Sequence, residues 1–162
     1  MPMNVKIGNI FEHVTSGIIV HGCNSHGVMG RGIAAEVKRR FPDAFNLYRR
    51  HCEQYGLGSQ TLLGTCPAWT NATADIDVSR DLVVINAITQ LNYGMQPNTK
   101  YVSYAAIKEC FDNIAVVCQI LGADGIHFPL IGAGLGGGDW AIISSIISDS
   151  MRGFNQTLWI LE

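Results

Sequence analysis

Two stretches of this sequence could hold an anion with main chain alone. Residues 132–138 contain five glycines and residues 21–32 contain four, together half of the eighteen in the chain. Glycine lacks Cβ, reaches positive φ at little cost and lets a ligand come close to the backbone. No Lys or Arg lies between Leu130 and Trp140. An anion there would be met by backbone N–H groups and by the positive end of the following helix dipole. Two such entrances on one face suit a diphosphate, and nucleotides are the obvious ligands. Two nearby side chains could handle water or a sugar hydroxyl: His21, whose ordinary pKa of ~6.5 suits a general base at neutral pH, and Asp139. Each chemical role has a plainer alternative. His21 could be a packed histidine, and Asp139 could simply cap a helix. Cys23 reads as an inert buried thiol. His26 and Arg31 could touch a terminal phosphate or only face solvent, and Trp140, Tyr93 and Phe128 could stack on a ligand or only pack.

Several nucleotide motifs are excluded. Neither loop carries the G-x-x-x-x-G-K-[ST] of a P-loop. The G-x-G-x-x-G from Gly132 to Gly137 lacks the first-strand position and the acidic residue about 20 residues on that a dinucleotide fingerprint needs. No H-E-x-x-H, paired cysteines or Asp-rich triplet points to a metal, and the five histidines are scattered. The expected site uses no metal and no cofactor.

The elements that must position these groups alternate in type. Asn4–Ile7 alternates as a half-buried strand would, and Ile18–His21 and Leu82–Ile85 read as buried strands. Ile33, Val37 and Phe41 mark one amphipathic helix. Pro42 opens a second, with Phe45, Tyr48, Cys52 and Tyr55 as its apolar stripe and Gly56 as its stop. Thr61–Ala68 is expected as a strand ending at Pro67, residues 70–80 as a connection or hairpin tip, and Asn86–Gln90 as a loop. Asn98 or Thr99 is expected to cap the longest helix, which runs to Gly122. Another strand spans Ile126 to about Leu130. Asp139 is placed to cap a helix with Ile142, Ile143, Ile146 and Ile147 on its apolar face, and Thr157–Leu161 closes the chain as a strand. The alternation argues for an α/β layer fold with a largely parallel sheet and helices on both faces. Ligands of such sheets bind beyond the carboxyl ends of the strands, where both glycine loops begin.

With 162 residues, 48% of them hydrophobic, the chain can bury a core as one domain, residues 1–162. Five cysteines without a C-x-x-C pair read as reduced thiols in a cytoplasmic protein. No apolar run approaches the ~20 residues that span a bilayer, and the first residues lack a signal pattern, so no membrane association or export is expected. A net charge of −2 gives no global attraction to nucleic acid. Lys38-Arg39-Arg40, the one basic cluster, reads as favourable charge at a helix C-terminus.

The ordered segments Gly8-Asn9-Ile10, Ile19-Val20-His21-Gly22-Cys23-Asn24, Val28-Met29-Gly30-Arg31-Gly32-Ile33-Ala34 and Pro129-Leu130-Ile131-Gly132-Ala133-Gly134-Leu135-Gly136 resemble the motifs of the macrodomain family. The resemblance runs over nearly the whole chain and is nearest the branch containing ADP-ribose 1″-phosphate phosphatases. It implies a three-layer α/β/α fold with a mixed, largely parallel sheet, and ADP-ribose or ADP-ribose 1″-phosphate as ligand. By resemblance, Gly8, Asn9 and Ile10 would lie by the adenine, Asn9 standing where many members have Asp. Asn24 would face the distal ribose. Gly30, Arg31, Gly32 and Ile33 would flank the diphosphate, with Ile131, Gly132, Ala133, Gly134, Leu135 and Gly136 as its second loop. His21 matches a histidine proposed as catalytic in phosphatase members, with Asp139 a possible partner in activating water. The implied reaction is hydrolysis of ADP-ribose 1″-phosphate by a monomer. The alternatives are removal of ADP-ribose from modified protein or nucleic acid, and non-catalytic reading of ADP-ribose. Gln90 stands in the region where some deglycosylating members carry a lysine, which counts against their route.

Overall fold

A computed structural model describes residues 3–161 except Leu135. In chain order the elements are β1 (Asn4–Ile7), α1 (Ile10–His13), β2 (Gly17–Asn24), α2 (Gly32–Arg40), α3 (Pro42–Tyr55), a 3₁₀ turn (Gln60–Leu62), β3 (Ala68–Thr70), β4 (Leu82–Gln90), α4 (Tyr104–Leu121), β5 (Gly125–Phe128), α5 (Trp140–Ser150) and β6 (Asn155–Ile160). The six strands form one sheet in the order β1-β6-β5-β2-β4-β3. Every pairing is parallel except β3 with β4.

Strand alternation divides the core between the two faces of this sheet. Ile18 and Val20 of β2 pack with Ile107, Phe111 and Ile114 of α4 and Ile143 and Ile147 of α5. Ile19 and Cys23 turn the other way, toward Ile10 and Phe11 of α1, Val37 of α2 and Tyr48 and Cys52 of α3. Helices therefore cover both faces, giving the expected three-layer α/β/α arrangement with a mixed, largely parallel sheet.

Several local expectations are corrected. Thr61–Ala68 is not a strand: Ser59 Oγ accepts from Thr61 N–H to start the 3₁₀ turn, and Gly64 at φ +86° bends the chain before β3 begins at Ala68. Asn86–Gln90 is not a loop, because β4 continues through it with Asn86, Ala87, Ile88 and Thr89 all buried. The cap of α4 is Ser103, whose Oγ accepts from Ala106 N–H, which leaves residues 91–102 as a strap rather than the first turn of a helix. The side chain of Asn9 caps the short α1 at Phe11 N–H. Tyr55 and Ile142, assigned to apolar faces by spacing, are exposed.

Candidate functional site

The parallel strands bring their carboxyl ends to one crest. From β1 through β5 and β2 to β4 it carries Gly8–Ile10, the second glycine loop, the first glycine loop and the strap in spatial order.

The first loop is fixed mainly by side chains, with backbone bonds from Ser25 N–H to Leu91 O and from Gly58 N–H to Ser25 O. Asn24, at the end of β2, accepts the His26 N–H at Oδ1 (2.9 Å) and donates from Nδ2 to the Val28 carbonyl (2.9 Å). Tyr48 of α3 donates its hydroxyl to the Asn24 carbonyl at 2.6 Å, with Asn24 Oδ1 at 3.0 Å. Burial pushes the Tyr48 pKa upward, so it remains a donor. Ser25 Oγ donates to the Leu91 carbonyl, and Arg49 Nη1 to the His26 carbonyl. The chain then emerges at Gly30, Arg31 and Gly32, all exposed. Arg31 is the N-cap of α2 without a capping side-chain bond, and the first turn of α2 holds no acid. This helix end keeps its orphan N–H groups and its positive dipole for an anion.

The second loop is fixed by main chain. Gly138 N–H donates to Gly132 O, Gly137 N–H to Gly134 O, and the N–H groups of Tyr101 and Val102 to Gly136 O. A Cβ on Gly136 would meet Gly132 O at 2.7 Å, and one on Gly138 would meet Val102 Cγ1 at 2.6 Å; at Gly137, φ is +70° and the obstacle is Thr99 O. Those glycines make the turn possible. Gly134 differs: it is exposed, with nothing within 4 Å of a Cβ there. Neither Ala133 N–H nor Gly134 N–H has a protein acceptor among the described residues, so both remain available to a ligand.

The dipole expected to help this loop is already occupied. Asp139 caps α5 through Oδ1 to Ala141 N–H (2.9 Å), and its carboxylate offsets the positive helix end. The open helix end on the crest belongs to α2, reached from the first loop. Beside the second loop lies an open cleft of ≈ 440 Å³, bounded by Gly134 and Gly137 on one side and residues 94–101 on the other. Lys100 lines it, with Nζ 4.2 Å from the centre of the Tyr104 ring, and the Tyr104 hydroxyl accepts Asp139 N–H at 3.0 Å.

His21 is buried. Its side chain lies in the layer beneath α3, 1% exposed, with Nε2 2.6 Å from Asn86 Oδ1. Because an amide oxygen can only accept, the imidazole donates. Asn86 Nδ2 passes the network on to the carbonyls of Pro67 (3.1 Å) and Ala44 (3.4 Å). Burial lowers the His21 pKa from 6.5 to about 4, against the opposing effect of the Asn86 bond. Its position is that of a packed imidazole held by Asn86. Cys23 is likewise inert, burial pushing its thiol pKa well up.

Asn24 reaches the crest, but both ends of its amide are engaged within the protein. Asn9 Oδ1 already caps Phe11 N–H at 3.0 Å, which leaves one oxygen lone pair for another donor. Ile33 is half-buried and Ile131 buried, the latter packing beside Gly22, whose Cβ would lie 3.1 Å from Ile131 Cγ2. Leu135 lies outside the described residues. His26 bonds Asn92 Oδ1 (2.9 Å) and meets Tyr93 edge-on. Phe128 and Trp140 lie against one another, Phe128 buried.

Tyr48, Lys100 and Tyr104 escape a sequence reading as site residues. Each belongs to an element whose spacing signals only helix or loop. Thr89 escapes it too. The β2–β4 register shifts between Cys23 and Asn24, making Thr89 the extra residue of a bulge on β4. Its Oγ1 is the one buried side-chain oxygen or nitrogen among the described residues without a partner.

The family model for the Macro domain matches residues 20–147, from the middle of β2 into α5. The chain belongs to the macrodomain family. It is 34% identical over 73 residues to the ADP-ribose 1″-phosphate phosphatase of Ajellomyces capsulatus, a stretch covering 45% of this macrodomain but only 26% of that protein. Against the ADP-ribose 1″-phosphate phosphatase of Candida albicans it is 25% identical over 150 residues, covering 88% and 89% of the two chains. The solved macrodomain of Thermus aquaticus DarG shares the fold, with a TM-score of 0.71 and 24% identity over 99% of this chain and 98% of that one.

Proposed function

We propose that this macrodomain binds ADP-ribose across its two glycine loops and hydrolyses ADP-ribose 1″-phosphate to ADP-ribose and phosphate. One observation carries the binding half. The uncapped N-terminus of α2 and the turn at Ala133 and Gly134 follow the adjacent strands β2 and β5, so unsatisfied N–H groups from both sides meet at one crest. The names of the phosphatase relatives support the substrate. In this reading Gly8, Asn9 and Ile10 lie by the adenine, Gly30 to Ile33 and Ile131 to Gly136 flank the diphosphate, and Asn24 shapes the floor under the distal ribose.

Because His21 is buried, Asp139 is the residue we assign to water. In the proposed step a water oxygen bonds to phosphorus as the bond from phosphorus to the 1″ oxygen breaks. The Asp139 carboxylate takes the water proton and returns it to the leaving 1″ oxygen. Deglycosylation is the weaker reading: Gln90 is neutral and its Nε2 donates to the Asn92 carbonyl. We also read the protein as a monomer, and as cytoplasmic since its five cysteines are free and reduced thiols suit that compartment.

Phosphate release from ADP-ribose 1″-phosphate tests the proposal. Wild-type protein should release one phosphate per substrate. Asp139→Asn, which preserves a good N-cap, should lower kcat by about 10²-fold or more while keeping ADP-ribose affinity. Wild-type protein that releases no phosphate would overturn the activity, and full kcat in Asp139→Asn would remove Asp139 from it.

A further inference from the structure

We infer that the cleft between the strap and the second loop receives the 1″-phosphate, with Lys100 as the charge that selects this ester over unesterified ADP-ribose. The inference rests on the function proposed above and assigns the end of the crest which that function leaves open.

The cleft adjoins the loop whose N–H groups are free. Of the residues that line it, Lys100 alone is charged. Among the described residues no carboxylate lies within ion-pair distance of its ammonium, whereas six other Lys or Arg side chains are so paired. Its backbone is tied down instead. Thr99 O packs against Gly137, Tyr101 N–H donates to Gly136 O at 2.7 Å, and the Tyr101 hydroxyl accepts Gln96 N–H at 3.2 Å. The ammonium rests over the Tyr104 ring, and the Tyr104 hydroxyl holds Asp139 N–H. A cation without a counter-ion among the described residues and Gly134 of the second loop thus border one opening, and the Tyr104 ring beneath the ammonium ties Lys100 to the Asp139 backbone.

Sheet order supplies the direction. From β1 to β4 the crest crosses four inter-strand steps, roughly 19 Å at about 4.8 Å each. With the base at Gly8–Ile10 and the diphosphate between the loops of β5 and β2, the far end of an extended ligand arrives at the loop of β4. That loop is the strap carrying Lys100. A phosphate monoester carries close to two negative charges at neutral pH, and this dianion is what distinguishes the substrate from ADP-ribose.

The test compares wild type, Lys100→Met and Lys100→Arg, each verified by an unchanged melting temperature, which exposed Lys100 permits. Lys100→Met should lower kcat/KM for ADP-ribose 1″-phosphate about tenfold, chiefly through KM, because it deletes one charge-assisted contact. Its Kd for ADP-ribose should stay within about twofold of wild type, and Lys100→Arg should restore most of kcat/KM. Unchanged kcat/KM in Lys100→Met would overturn the assignment. So would an equal loss of ADP-ribose affinity, which would place Lys100 on the diphosphate. Wild-type protein that binds ADP-ribose yet releases no phosphate would instead sink the proposed function, and the role of Lys100 with it.

Discussion

The two glycine loops look alike in composition and are built on opposite plans. In the first, side chains do most of the fastening: Asn24, Ser25, Tyr48 and Arg49 tie residues 24–28 to α3 and the strap, beside the backbone bonds of Ser25 N–H to Leu91 O and Gly58 N–H to Ser25 O. Its later glycines are left free, and a Cβ on Gly32 would meet nothing within 4 Å. In the second, backbone fastens to backbone, and Gly132, Gly136, Gly137 and Gly138 are present because a Cβ would collide with neighbouring main chain or core side chains. The helix ends differ in the same sense, α2 open and α5 capped by Asp139. A glycine count therefore merges two roles, making a turn possible and leaving room for a ligand. Only the neighbours of each missing Cβ separate them.

The largest effect should come from the second loop's structural glycines. Gly137→Ala puts a Cβ against Thr99 O at φ +70° and should cost about 2–4 kcal/mol in a urea titration. Gly134→Ala, where the space is open, should stay within about 0.5 kcal/mol. Equal losses at the two positions would break the comparison.

Acid should act on the support of the first loop, because residues 131–138 contain no titratable side chain. His21, on the strand that leads into the first loop, has a folded pKa of about 4 against an ordinary 6.5. The unfolded chain therefore takes up this proton first as pH falls. The stabilisation is complete above pH 6.5 and is lost between 6.5 and about 4, amounting to on the order of 3 kcal/mol. His51 and His127, also lowered by burial, act in the same direction. Melting temperatures should fall as the pH drops from about 7.5 to about 4.5, and less steeply in His21→Gln. Identical slopes would show that His21 is not a buried neutral group.

A smaller change should loosen the first loop alone. Tyr48→Phe removes the hydroxyl held by Asn24 while keeping the ring, and should cost about 1–2 kcal/mol. Hydrogen exchange should rise at residues 25–29 and stay constant at 136–138; a rise in both loops would mean that they share one support.

Much of this is legible in the sequence. Periodicity locates the strands that lead into the crest and the helices that flank it, and the N-cap role of Asp139 follows from its place before an apolar run. The extension of β4 is hidden because Asn86 and Thr89 read as polar, and the burial of Asn86 depends on partners far away in the chain: His21, Ala44 and Pro67. The burial of His21 is hidden for the same reason. Strand position gives its place at a carboxyl end but not its face, which turns toward α3 and Asn86. Lys100 carries no motif, and only the folding of the strap onto Gly136 and Gly137 brings it to the cleft.

The most direct measurement is calorimetric titration of ADP-ribose into wild type and Gly134→Glu, each checked for an unchanged fold. Wild type should bind at one site. Gly134→Glu should melt like wild type, having open space for its side chain, yet lose binding because it sets bulk and negative charge where the diphosphate is placed. A folded Gly134→Glu protein that binds as wild type does, or a wild type that shows no heat at millimolar ADP-ribose, would contradict the account.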